Sequence, residues 1–174
     1  MRIHHRLLIG ALFLSLWLGG SWGYSQGTPI QLEVLSDPFI DFTSNRSSFT
    51  LNFSKFTRGV TTNTTDVTYT IKANNVVRTE GVVLAKLDDL FPNIALQAQL
   101  DSYTKNGGDA HLVATSNGFI SVTTQEAGLA NKVVDEGSGK ILDGTFMIHY
   151  QAKALEDLAA GEHIRTLTVI FADT

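Results

Sequence analysis

Hydrophobicity that alternates residue by residue, in short runs, is the feature that most constrains this chain. Near its end the alternation is unbroken. Phe146, Ile148, Tyr150 and Ala152 fall in one phase, and Thr145, Met147, His149 and Gln151 fall in the other. Successive side chains of an extended strand point to opposite faces, so this pattern makes one buried side and one wet side. A connector at residues 155–161 follows, and then Leu167, Val169 and Phe171 alternate with Thr166, Thr168 and Ile170. The expectation is a strand, a turn and a final strand, forming a closing hairpin. Two strands cannot cover their own apolar face, so the rest of the chain must supply an opposing sheet.

The remainder reads the same way. Residues 28–34 carry Ile30, Leu32 and Val34 on one face, with Gln31 and Glu33 opposite, and Ser36-Asp37-Pro38 breaks the run. Phe39 to Phe42 is a brief strand. Phe49, Leu51 and Phe53 alternate as a further one. Residues 57–66 are mostly Thr, Asn and Gly, an exposed loop or weak edge. Val67, Tyr69, Ile71 and Ala73 alternate over β-branched and aromatic residues that suit a pleated surface. A strand is expected over 76–84, interrupted at Glu80-Gly81, and one helical turn over 88–93. Ile94, Leu96, Ala98 and Leu100 make another strand, ended by a Gly-containing turn at 105–109. Short strands at 112–114 and 119–122 flank Ser116-Asn117-Gly118, a hairpin-like signal. Residues 125–129 read as a loop or helical turn, and 136–139 as a flexible turn. The sum is about eight or nine short strands with turn signals roughly every ten residues, which predicts a single all-β, Ig-like antiparallel β-sandwich.

The first residues do not fit that pattern. Arg2 and Arg6 precede an apolar run over 7–18, and small residues Gly19, Gly20, Ser21 and Gly23 follow. That order predicts a secretory signal peptide over 1–23, leaving the sandwich domain as 24–174. The apolar run falls short of the about 20 residues a membrane-spanning helix needs, and no later stretch is apolar enough, so no integral membrane segment is expected in the mature chain. Cleavage is expected after Gly23 or after Ser25, placing the protein outside the cytoplasm: periplasmic, at the cell surface or extracellular.

Charge and composition narrow the function. The whole chain has a formal charge of −4, and residues 1–23 hold two arginines and no acid, so the remaining chain is more acidic still. Nucleic-acid binding needs clustered Lys and Arg and is not expected. With no cysteine there is no disulfide, no thiol nucleophile and no thiolate metal ligand. Catalytic signatures are missing too: no Gly-x-Ser-x-Gly elbow, no phosphate loop and no His-Glu-x-x-His. Gly137-Ser138-Gly139-Lys140 lacks the upstream glycine and the hydroxyl residue that a phosphate loop needs. His111, His149 and His163 have no metal-ligand spacing, Asp101 to Asp109 lacks the alternating acids of a calcium loop, and adjacent Asp88 and Asp89 point apart on a strand. No enzyme activity, metal or cofactor is expected. Asn45, Asn52 and Asn63 head glycosylation sequons by pattern.

The two ends of the chain resemble bacterial fimbrial subunits. Tyr150 lies in a strand, Asp157-Leu158-Ala159-Ala160-Gly161 forms the turn, and Leu167, Val169 and Phe171 alternate after it. Many such subunits carry a glycine fourteenth from the C-terminus, where Gly161 stands, although Asp173 replaces their penultimate aromatic residue. The run at Ile30, Leu32 and Val34, followed by Asp37-Pro38, is similar to the segment those proteins donate to a neighbour. The resemblance implies an exported, non-enzymatic structural or interaction protein of the bacterial surface. Its partners would be itself or other surface subunits, joined by strand pairing through Ile30, Leu32 and Val34. The plainer expectation for 28–34 is the first strand of its own sandwich. The alternative function is a secreted carbohydrate-binding sandwich, which needs exposed aromatic platforms. Both tryptophans, Trp17 and Trp22, lie in the signal segment.

Overall fold

A computed structural model describes residues 39–173. They form nine strands and no helix: β1 (Ile40–Ser44), β2 (Thr65–Ala73), β3 (Val83–Leu87), β4 (Ile94–Gly108), β5 (Ala110–Ala114), β6 (Ile120–Val122), β7 (Ala127–Val134), β8 (Leu142–Ala154) and β9 (Leu167–Phe171). Two antiparallel sheets face each other as a β-sandwich. One runs β1-β2-β8-β4-β6 and the other β5-β7-β3-β9. Among the described residues no helix is long and apolar enough to cross a membrane. The candidate pairing residues Ile30, Leu32 and Val34 and residues 1–23, where a signal peptide is expected, lie outside the described residues.

β8 is the middle strand of the larger sheet, and its alternation is as read. Leu142, Phe146, Ile148, Tyr150, Ala152 and Ala154 are buried, while Met147, His149 and Gln151 are half-exposed on the outer face. Val67, Tyr69, Ile71 and Ala73 from β2 and Leu96, Ala98 and Leu100 from β4 complete that wall. Val83, Ala85, Leu87, Leu112 and Leu129 oppose it. Burying so many β-branched and aromatic side chains between two faces is the main force holding the layers together.

Several connections differ from the sequence reading. β8 and β9 do not form a hairpin. β8 is paired on both edges, by β2 and β4, so the chain must cross to the other sheet, where β9 pairs with β3. β5 and β6 also sit in different sheets, so Ser116-Asn117-Gly118 is a crossover. The stretch read as a turn at 105–109 continues β4 to Gly108, with irregularities after Leu100 and after Lys105. Its end is a corner between sheets. Gly108 has φ +82 and a Cβ there would lie 2.5 Å from the Ile141 carbonyl oxygen, so only glycine fits.

Residues 76–82 are loop, because their amides bond to separate places rather than to one ladder: Val76 to Lys140, Val77 and Arg78 to Asp173, and Val82 to Ala130. No helical turn forms over 88–93. Asp88 and Asp89 each accept the amide of the following residue, and Asn93 takes φ +56. Residues 127–129 belong to β7. Phe49, Leu51 and Phe53 keep their alternation of burial but form no strand, since their backbone finds no ladder partner among the described residues.

Candidate functional site

The sandwich carries a cleft of about 870 Å³ along the side where β1 and β9 are the sheet edges. Its floor is built from inward positions of both sheets, Tyr69, Leu87, Leu96 and Val169 among them. Strand β9 pairs with β3 on one edge only. Its other edge has no backbone partner among the described residues. The opposite wall is residues 46–53, which make no backbone–backbone hydrogen bond with any described residue. Two backbone segments without backbone partners among the described residues therefore flank a cleft whose floor is apolar and whose rim is polar. In water this costs little, but it is also the template on which another strand adds.

Aromatic rings line the inner end. Phe42 stacks on Tyr69 at 5.6 Å and on Phe146 at 6.0 Å between centroids, and lies 6.1 Å from Phe171. Phe49 stacks on Tyr150 at 4.9 Å. Below them the Tyr69 and Tyr150 hydroxyls meet at 3.0 Å. Burial pushes both phenols up from their ordinary range, and their mutual bond lowers Tyr69 against that trend. At the far end Arg165 lies over the Phe91 ring and bonds the Leu90 carbonyl. Asp88 accepts the Thr166 amide, which holds its carboxyl below the usual range and ties the end of β3 to the start of β9.

The three histidines do not converge. His149, on the outer face of β8, contacts Asp66 of β2 at 2.6 Å through Nδ1 and Asp101 of β4 at 3.3 Å through Nε2. The extra residue in β4 is what turns Asp101 toward it. His111 bonds Asp135, which also takes Lys105 at 2.7 Å. His163 lines the rim of the cleft. No group of three or more His, Asp or Glu side chains among the described residues is arranged to hold a metal. Gly137 to Lys140 is a turn wrapped on Asp109, which accepts the Ser138 hydroxyl and the Ile141 amide. Asp109 is therefore a structural anchor of the sheet corner.

The cleft escaped the sequence reading because it is made by what β9 and residues 46–53 leave unpaired, and alternation is blind to pairing. No protein-family model, no curated protein and no solved structure matches this chain.

Proposed function

We propose that this is an exported, non-enzymatic surface or fimbrial-type subunit that assembles by strand addition, residues 28–34 of one copy filling the cleft of the next. The observation that carries the reading is the cleft itself: an apolar floor between an edge of β9 and a wall at 46–53 that have no backbone partner among the described residues. An added strand would satisfy both backbones and bury its apolar face on that floor. The occupant is argued from the chain. Residues 28–34 alternate Ile30, Leu32 and Val34, and a seven-residue strand is long enough to cover the five residues of β9. A carbohydrate module is less well supported, because Phe39 and Phe56 are the exposed aromatic residues among those described.

The test uses the full chain and variants carrying Ile30→Asp and Leu32→Asp. Assembly by strand addition predicts oligomers in size-exclusion chromatography that these substitutions abolish, with the monomer's melting temperature unchanged. A wild-type chain that stays monomeric, and that the same substitutions destabilise, would mean that the segment completes its own domain. Mass spectrometry of exported protein should find a start at Tyr24 or Gln26, and an intact Met1 in the cytoplasm would defeat the export half of the reading.

A further inference from the structure

The floor of the cleft holds one hydrogen-bond donor too many. Tyr69 and Tyr150 carry two hydroxyl hydrogens, and the single bond between them uses one. Neither hydroxyl has another partner among the described residues. Tyr150 is fully buried and Tyr69 is 6% exposed at the wall of the cleft, so the surplus donor has to be met there, by water or by an inserted group. Burial raises both phenols, so both keep their hydrogen at any ordinary pH. Tyr69 lines the cleft and Tyr150 does not. Either hydroxyl can donate in that bond; when Tyr150 donates, the Tyr69 hydrogen is the one left for the cleft.

We infer that the inserted strand is held in one register by the side-chain hydroxyl of Thr28 from a neighbouring copy, which accepts the hydrogen of Tyr69. This rests on the strand-addition reading above. Thr28 falls in phase with Ile30, Leu32 and Val34, so it faces the floor when they do. It is the one hydrogen-bonding side chain in that phase between 28 and 34, since Gln31 and Glu33 point the other way. Backbone carbonyls of an inserted strand lie in the plane of the sheet, directed at β9 or at 46–53, and do not reach the floor.

The apolar surface fits that placement. Tyr69 lies beside Phe42, which is next to Phe171 at the end of β9. From Tyr69 toward the start of β9 the lining is Leu87, Leu96, Ile94 and Phe91. With Thr28 over Tyr69, the next six residues extend about 20 Å along this stretch, at roughly 3.3 Å per residue, and set Ile30, Leu32 and Val34 on it. The strand then runs antiparallel to β9.

The experiment is a double-mutant cycle on assembly of the full chain, read as the dissociation constant by sedimentation. Thr28→Val should weaken assembly about tenfold in the wild-type background and have no further effect in Tyr69→Phe, because the donor is already gone. Thr28→Ser should keep wild-type affinity. Equal losses from Thr28→Val in both backgrounds would overturn the register, as would equal losses from Thr28→Val and Thr28→Ser should Tyr69→Phe not fold. Ile30→Asp separates the two levels. If it abolishes assembly while the cycle shows no coupling, strand addition stands and the Thr28 contact falls. If it leaves assembly intact, both fall.

Discussion

The two long sides of this sandwich are finished in different ways. On the side of β4, β5 and β7 the chain closes itself. Asp109 anchors the corner after Gly108, its carbonyl takes the amides of Asp135 and Glu136, and its carboxylate takes Ile141 and Ser138. Buried Lys132 donates to the carbonyls of Val76 at 2.5 Å and Gly139 at 2.6 Å, joining two loops that no ladder connects. On the side of β1 and β9 Asp88 ties the end of β3 to the start of β9, but among the described residues no anchor joins β9 to the wall at 46–53. Leu167, Val169 and Phe171 remain half-buried, and the backbone of 46–53 has no backbone partner among the described residues. Apolar patterning is comparable on both sides. What distinguishes them is whether backbone groups find partners.

The largest expected effect lies on the closed side. Leu129 is 2% exposed in the core, and Leu129→Ala should cost about 2–5 kcal/mol of unfolding free energy by chemical denaturation. A cost as small as that at Leu167 would erase the contrast between the sides.

Next comes Lys132. Replacing it by Met keeps most of the stem and removes the ammonium, leaving two carbonyl oxygens without their donor. Burial already pulls the Lys132 ammonium down from its ordinary range, with Asp109 acting against that trend, so the variant also escapes a desolvation cost. The net expectation is a loss of about 1–3 kcal/mol, with amide exchange quickened at Val76 and in the 137–140 turn. An equal or more stable variant would mean that the charge costs more than its bonds return.

Leu167 should respond less. It is half-buried at the cleft, so Leu167→Ala should cost about 1 kcal/mol in the monomer, part of the value for full burial. In an assembled form the loss should grow, because an inserted strand would bury the rest of the side chain. A cost independent of assembly would argue that nothing covers this edge.

Particular residues explain how far the sequence could be read. Phe146, Ile148 and Tyr150 declared their face because β8 is paired on both edges and only alternation matters there. Phe49 and Leu51 declared theirs equally well, yet they form no strand. Alternation reports which side is wet and carries no information on the neighbour. Gly108 was legible as a break, but not as a corner between sheets, because that depends on where Ile141 sits. The Tyr69–Tyr150 bond joins residues 81 apart in sequence, and no local signal marks it.

The smallest expected effect is an acid one, and it tests the closed corner. Burial pushes the Asp109 carboxyl up, but hydrogen bonds from the Ile141 amide, the Ser138 hydroxyl and the Lys140 and Gly139 amides outweigh it and hold the group below its usual range. A carboxyl lowered in the folded state binds its proton more readily in the unfolded chain. Its contribution is therefore complete above the unfolded value, near 4, and is lost as pH falls through the lower folded value. Asp135, lowered first by its bond from Lys105, and Asp88, lowered by the Thr166 amide, act with the same sign. All three lie near the surface, so solvent limits what each contributes. Asp109→Asn removes one titration and keeps the shape. Between about pH 5 and pH 2 the variant's melting temperature should fall less steeply than that of the wild type, while Asp88→Asn should flatten the same limb through the β3–β9 junction. If Asp109→Asn left the acid limb unchanged and Asp88→Asn flattened it, the acid-sensitive junction would lie at the open cleft, and the corner at Gly108 would hold without its carboxylate.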